Sequence, residues 1–192
     1  APIHWAVING EKETGCTTFF IQHKIDTGDV LFRQKMPIGE NETTGDVHDR
    51  MMELGAGLVL KTVQAIESNS YELQRQEDSL ATKAPKLYHD TCKIDFNQPV
   101  EKVHDFIRGL SPWPSAWAML GDLQLKILKT TKEIQEHDYC PGTLITDNKK
   151  VLKVAVEGGF VVIHNLQLQG KKRMDTAAFL NGNEMESGIE LD

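Results

Sequence analysis

Two aspartates lie three residues apart, on either side of Gly28, in the segment K-I-D-T-G-D-V at residues 24–30. They are Asp26 and Asp29, and they follow an apolar run that favours a strand. Asp, Thr and Gly are common turn residues, so a purely structural turn is one interpretation. The other is a catalytic or substrate-binding loop, because such loops follow strands held in a rigid scaffold. A metal site on this pair lacks further ligands nearby, and we predict no metal.

The residues around this loop predict an α/β unit. Residues 2–9 fit a short helix, and residues 16–22 are β-branched and aromatic with little alternation, which is typical of a strand buried on both faces. Residues 30–38 alternate well enough for a second strand. Apolar residues then recur at helical spacing through residues 44–67. Strands followed by a long amphipathic helix indicate an α/β fold.

The pattern changes in the second half of the chain. The polar stretch before it, which contains a proline, predicts a linker. A helix follows from Pro99 and ends at S-P-W-P, whose prolines cannot continue it. Five short β-prone runs separated by turns then predict an antiparallel barrel or sandwich, closed by a short helix. We therefore divide the chain into residues 1–82, a linker at 83–96 and a second domain at 97–192.

Composition limits the classes of protein to which the chain can belong. Its 40% hydrophobic and 26% charged residues are ordinary for a globular protein. No apolar stretch approaches the roughly 20 residues that cross a bilayer, so no membrane partner is expected. Three widely separated cysteines indicate a reducing, cytoplasmic setting. The net charge of −7 lies mostly in residues 1–82, where 13 acidic residues face 7 basic ones. The near-neutral remainder can still present a basic face to a polyanion.

Familiar catalytic signatures are absent from the sequence. There is no dinucleotide-binding fingerprint at a strand-to-helix turn, no phosphate-binding P-loop and no G-x-S-x-G. The seven histidines show no spacing typical of a zinc site. The chemistry must therefore come from less general motifs.

Several short motifs occur in a specific order along the chain. They are A-P-I-x-W-A-x-I-x-G-E-x-E-T-G at 1–15, I-D-T-G-D-V-L at 25–31, K-I-D-F at 93–96, I-R-G-L-S-P-W-P-x-A-W at 107–117, P-G-T-L at 141–144 and L-Q-L-Q-G-K-K-R-M at 166–174. Each motif is weak alone, but the ordered set is specific. Over residues 1–182 the chain closely resembles the methionyl-tRNA formyltransferase family.

This resemblance implies a fold, a reaction and its partners. The implied fold is an α/β remnant of a Rossmann-like formyltransferase domain, followed by a mainly β, OB-like barrel domain. The implied reaction transfers a formyl group from 10-formyltetrahydrofolate, the co-substrate, to the amino group of initiator methionyl-tRNA. We expect no obligate protein partner.

The chain also departs from the family pattern. In that family the catalytic Asn and His precede the point where this sequence begins, so neither can be assigned here. We expect the 192 residues to be a fragment that lacks transferase activity alone and whose first segment is poorly ordered or self-associating.

The resemblance assigns a catalytic role to Asp26. Formyl transfer to an amine passes through a tetrahedral oxyanion, which requires hydrogen-bond donors and a base for the amine proton. A carboxylate bonded to an imidazole keeps that imidazole charged and oriented. The backbone of Ile25, Thr27 and Gly28 would face the pterin ring, while Asp29 closes the turn.

Further residues are candidates for binding tRNA. Lys171, Lys172 and Arg173 form a basic turn after an apolar strand, where an exposed cluster is either solvated or bound to phosphates. On the linker, Lys83, Lys86 and Lys93 are weaker candidates. The favoured interpretation of Trp113, between two prolines, is a side chain packed between domains, and substrate contact is the alternative.

Two rival functions stay open from the sequence. One is a folate-dependent formyltransferase acting on a sugar nucleotide. The segment G-K-K-R-M favours tRNA over a sugar nucleotide as the acceptor. The other is a stand-alone RNA-binding barrel with an inert α/β remnant. An Asn-x-His followed by S-L-L-P, encoded upstream of Ala1 in the gene, would favour an enzyme over an RNA-binding module.

Overall fold

The first half of the chain forms a hairpin and a long helix. A computed structural model describes all 192 residues. The elements of this half are α1 (Pro2–Ile8), β1 (Glu13–Phe19), β2 (Val30–Pro37) and α2 (Thr44–Glu67). The strands β1 and β2 form a two-stranded antiparallel sheet.

The second half is built around one antiparallel sheet. Its elements are α3 (Val100–Leu110), β3 (Ala116–Leu120), β4 (Leu123–Ile134), β5 (Leu144–Thr146), β6 (Leu152–Val156), β7 (Gly159–Leu168), β8 (Met174–Asp175) and α4 (Thr176–Gly182). The strand order is β3-β4-β7-β6-β5, with β8 also paired to β7. None of the helices in either half combines the length and apolar character needed to span a membrane.

Local signals explain why α2 begins where it does. Thr43 caps the helix, since its hydroxyl accepts the backbone N–H of Asp46 and the Asp46 carboxylate accepts the backbone N–H of Thr43. One face of α2 is buried, as at Leu58, and the hydroxyl groups of Thr62 on α2 and Thr18 on β1 hydrogen-bond at 2.9 Å. A second stripe of apolar side chains on α2 is exposed, namely Met52, Val59, Leu60, Val63 and Ile66. The apolar pattern of this helix is therefore only partly buried.

The second half encloses a single large core. Twenty-three buried apolar residues form one cluster, and they come from the segment at 92–96, α3, the sheet, α4 and the residues after α4. Buried and outward-facing side chains alternate along β4 and β7, so one face of the sheet packs inward and the other is open to solvent.

The sheet itself is open, because β3 and β5 do not pair. The final residues, 188–192, instead bond to both edges. The backbone of Asp192 bonds with Met119 of β3 in both directions, and Leu144 of β5 bonds in the same way with residues 188 and 189. The sequence predicts a barrel or sandwich, whereas the structure shows an open antiparallel sheet whose two edges are joined by the last residues of the chain.

Buried polar contacts join the two halves. The imidazole of His104 on α3 donates from Nε2 to the Glu40 carbonyl at 3.2 Å, while its Nδ1 accepts from the Thr130 hydroxyl at 2.9 Å. Arg108, also on α3, donates to the carbonyls of Gly39 at 3.3 Å and Glu42 at 3.0 Å. The loop between β2 and α2 is thus fixed to the second half by hydrogen bonds to its backbone.

One expectation for the first half, the position and burial of its first strand, is wrong. The strand predicted at 16–22 spans Glu13–Phe19 and is half-exposed, and Ile21 in the following loop is 92% exposed. Gly15 explains the shift, because a Cβ atom there would overlap the carbonyl oxygen of Gln34 on β2. The hairpin is antiparallel, and together with α1 and α2 it forms the α/β part of the chain that the sequence predicts.

Candidate functional site

The loop between β1 and β2 carries the two aspartates. Its ends are joined by a hydrogen bond from the Phe20 N–H to the Asp29 carbonyl, at 3.1 Å. Gly28 lies directly under this closure, since a Cβ atom there would overlap the carbonyl oxygen of Phe20. The hydroxyl of Thr27 donates to the Lys24 carbonyl at 2.9 Å and tightens the turn. Glycine is therefore required at position 28 by the fold itself.

Asp26 occupies the exposed tip of this loop in an unusual backbone conformation. Its φ of 58° lies in the left-handed region, which Asp tolerates better than most residues. The side chain is exposed and makes no hydrogen bond within the chain, so its carboxylate is free for an external group. Ile25 beside it is exposed as well.

The chain segment after α2 forms the other wall of the site. The backbones of Gln74 and Val30 bond to each other in both directions, at 2.8 and 2.9 Å. The side-chain amide of Gln76 donates to the carbonyls of Asp26 at 2.9 Å and Gly28 at 2.8 Å. The loop is thus held between its own strands and this segment.

A cavity of about 470 Å³ lies beside Asp26. Thr17 and Phe19 of β1 line it on one side, and Arg33 and Arg75 bring two guanidinium groups to it. Neither guanidinium forms a salt bridge within the chain. Glu77 and Asp78 line it as well, so the cavity combines apolar surface with charged groups of both signs.

None of the seven histidines bonds to Asp26. The ring of His4 donates from Nε2 to the Trp113 carbonyl at 3.0 Å. Burial lowers the pKa of His4 and that of His104. The chain therefore provides the carboxylate of the expected carboxylate–imidazole pair, at Asp26, but none of its histidines provides the imidazole. No group of three or more His, Cys, Asp or Glu side chains is placed to hold a metal ion.

Trp113 does not pack between the halves, so the favoured interpretation of this residue is wrong. Its side chain is 74% exposed, and only its backbone carbonyl bonds to the first half. Pro112 occupies the junction instead, against Gly45 at the start of α2. The tight approach at Gly45 leaves no room there for an indole ring.

The basic turn is exposed and anchored to the outer face of the sheet. Lys171, Lys172 and Arg173 are all exposed. The Gln167 side chain donates to the Lys171 carbonyl at 2.9 Å, and Arg173 donates to the side chain of Asn165. The backbone of this turn is thus held while its cationic groups, apart from that of Arg173, stay free.

Register places further side chains on the same outer face, which sequence reasoning missed. Trp117, Lys126 and Gln167 lie opposite one another on β3, β4 and β7. The His89 ring stacks on Trp117 with 4.8 Å between ring centroids. Lys129 lines a groove of about 260 Å³ together with Arg173. Only strand pairing brings these residues together, so no linear motif could have identified them.

The linker lysines differ in their contacts. Lys83 and Lys86 are exposed, and the Lys86 ammonium lies 5.3 Å from the ring centre of Tyr88. Lys93 pairs with Asp192 at 3.2 Å, which also fastens the last residue of the chain. Of the three, Lys93 has a structural contact that accounts for it.

Comparison with known protein families gives two matches. Residues 1–63 match the family described as "Formyl transferase", and residues 86–184 match "Formyl transferase, C-terminal domain". A methionyl-tRNA formyltransferase of Bacteroides thetaiotaomicron is 46% identical over 201 residues, covering 100% of this chain. The chain spans 62% of the length of that curated relative.

Solved structures with a similar fold are more distant in sequence. The sugar 3N-formyl transferase WlaRD, with dTDP and 5-N-formyl-THF, has a TM-score of 0.69 and 23% identity, covering 89% of this chain and 60% of that one. HypX from Aquifex aeolicus, in complex with tetrahydrofolic acid, has a TM-score of 0.70 and 18% identity, covering 93% of this chain and 32% of that one. At these identities the likeness concerns the fold alone.

Proposed function

The chain belongs to the formyl transferase family, and from this premise we propose that the full-length protein formylates methionyl-tRNA, with 10-formyltetrahydrofolate as the donor. The observation that carries the proposal is the 46% identity to a methionyl-tRNA formyltransferase along the whole chain. The sugar 3N-formyl transferase reaches only 23%. The contrast favours tRNA over a sugar nucleotide as the acceptor.

In this proposal Asp26 acts on the transition state. The amine nitrogen of the methionyl group attacks the formyl carbon and the carbonyl oxygen gains negative charge. The bond between the formyl carbon and N10 then breaks, and the proton lost by the amine is taken up by N10 of the departing tetrahydrofolate. A carboxylate at Asp26 would hold a protonated imidazole in place beside that oxyanion. The exposed, unpaired side chain at the loop tip is compatible with this role.

We propose that the imidazole comes from a part of the full-length protein outside these 192 residues. Two observations support this: the curated relative is longer than the chain, and no histidine of the chain bonds to Asp26. The peptide groups of Ile25, Thr27 and Gly28 would then face the pterin ring of the donor. The neighbouring cavity of about 470 Å³ offers space for the rest of that molecule.

The outer face of the second sheet is our proposed tRNA surface, and the sheet would act there as an OB-like domain. The turn at Lys171, Lys172 and Arg173 would contact phosphates, with Lys126 and Lys129 beside it. The linker lysines Lys83 and Lys86 would add weaker contacts. Phosphate contacts of this kind position a nucleic acid without reading its bases.

Acceptor choice tests the proposal directly. The full-length protein is incubated with 10-formyltetrahydrofolate and either initiator methionyl-tRNA, uncharged tRNA or a dTDP-amino sugar. We expect formyl transfer to methionyl-tRNA alone, because only that acceptor combines the methionyl amine with the tRNA backbone. Faster transfer to the sugar would make the protein a sugar formyltransferase. Binding of tRNA without any transfer would favour an RNA-binding module.

A further inference from the structure

The side chain of Gln76 bonds to the Asp26 loop from outside the loop. Its Nε2 atom donates to the carbonyl oxygen of Asp26 at 2.9 Å and to that of Gly28 at 2.8 Å. A side-chain amide nitrogen carries two N–H groups, so both of its donors are used. No other side chain outside residues 20–30 hydrogen-bonds to this loop.

The backbone at Asp26 requires support of this kind. Its φ of 58° is a left-handed conformation that is unfavourable for any residue with a side chain. Such conformations persist only where the surroundings hold them. The remaining bonds of the loop, from Thr27 to Lys24 and from Phe20 to Asp29, close the turn without contacting the carbonyl groups of Asp26 and Gly28 that Gln76 holds.

We propose that Gln76 is a positioning residue for Asp26, an inference that rests on the catalytic role proposed for that carboxylate. Gln76 fixes the carbonyls before and after Thr27 and thereby keeps the Asp26 side chain pointing in one direction. Without its amide both carbonyls lose a donor, and the Asp26 backbone is free to leave the left-handed region. The carboxylate then occupies its reactive position for a smaller fraction of the time.

Two near-isosteric variants of the full-length protein test this inference, Gln76→Glu and Gln76→Met. An ionised carboxylate and a thioether both lack the N–H donors, while the length of the side chain is kept. Gln74→Glu and Gln74→Met are matched controls, since Gln74 contacts the same loop through its backbone and its side chain forms no hydrogen bond. The measurements are kcat, the KM for the donor and hydrogen exchange of the amides of residues 25–28.

We expect kcat to fall by about 10- to 100-fold in both Gln76 variants, the usual effect of misplacing a reacting group. The rise in donor KM should be smaller, and loop amides should exchange faster than in the Gln74 controls. The Glu variant regains one donor when its carboxyl group is protonated, at about pH 4. At that pH its loop amides should exchange more slowly than those of the Met variant.

Unchanged kcat in both Gln76 variants, with Asp26→Asn inactive, would overturn this inference and leave the proposed function intact. If the wild-type protein transfers no formyl group, the proposed function fails instead. The exchange rates then decide by themselves whether Gln76 holds the loop, and equal rates in the Gln76 variants and the controls would show that it does not.

Discussion

The two halves of the molecule differ in how fully each one encloses its apolar residues. The second half packs 23 buried residues into one cluster, whereas the cluster of the first half contains four, namely Val7, Met36, Ile38 and Val47. The long helix α2 exposes an apolar stripe that nothing in the chain covers. The half that carries Asp26 therefore depends on its hairpin, its caps and the following segment for order.

This difference separates two kinds of candidate site. Asp26 lies on a loop whose geometry depends on a few hydrogen bonds, and regions of this kind open more readily than a packed core. The basic turn lies on a sheet with a complete core beneath it, so its side chains can change without disturbing the fold. Substitutions in the Asp26 loop should thus affect chemistry, and those in the basic turn should affect tRNA affinity.

The largest effect is expected for Asp26→Asn in the full-length protein. We predict that kcat falls by about 10² to 10⁴-fold, the usual contribution of a group that assists proton transfer. Donor binding should be kept, because the carboxylate acts on the transition state. Steady-state kinetics and donor titration measure both, with Asp29→Asn as the control. Lost donor binding at unchanged turnover would make Asp26 a folate clamp.

The same substitution, Leu→Ala, at one core position in each half compares how much each core contributes to the free energy of unfolding. Leu125 on β4 is 0% exposed and Leu58 on α2 is 2% exposed. Leu125→Ala should lower the free energy of unfolding by about 3 to 5 kcal/mol and Leu58→Ala by about 2 to 3 kcal/mol. The neighbours of Leu58 can relax toward the open side of α2, which reduces the penalty. Denaturant unfolding measures both, and equal losses would contradict the comparison.

The end of the chain offers a test of how the second sheet is held. Leu191 is 5% exposed and belongs to the large core. Leu191→Ala should lower the free energy of unfolding by about 2 kcal/mol and increase amide exchange in β3 and β5 together. Glu190→Ala, at a more exposed neighbour, is the control. Faster exchange at only one of the two strands would show that this segment does not couple them.

Removing the basic turn should change tRNA affinity without changing stability. With Lys171, Lys172 and Arg173 all replaced by alanine, the slope of log K against log salt should flatten by about 0.7 to 0.9 for each phosphate that is no longer neutralised. Initiator and elongator tRNA should be affected alike. Lys149 and Lys150, on a different exposed turn, provide the control pair. An unchanged slope with full affinity would make the turn a solvated surface.

The smallest effect is expected at the junction between the halves. Burial lowers the pKa of His104, the nearby Arg108 and Lys132 lower it further, and the Glu40 carbonyl and Asp105 oppose this shift. The unfolded chain, with a pKa of about 6.5, therefore takes up the proton first as pH falls. The contribution of His104 is complete above that pH and is lost as pH falls through the folded pKa. Unfolding measured against pH should show a shallower acid slope for His104→Gln.

Local features of this protein are predictable from its sequence. The helix predicted at 44–67 has the bounds Thr44–Glu67, because its cap and its apolar periodicity are set by residues a few positions apart. The strand runs of the second half can be identified for the same reason. The start of β1 differs from its prediction, since its position depends on how closely Gly15 approaches β2.

The residues of the candidate site also differ in whether the sequence alone identifies them. The sequence by itself singles out Asp26 and the basic turn, as motifs of adjacent residues. Only the tertiary structure brings Gln76 to the Asp26 loop across 50 positions, and Lys129 to Arg173 across the sheet. It also exposes Trp113 instead of burying it. Hydrogen bonds and burial between distant segments depend on how the whole chain packs, and no short stretch of sequence contains that information.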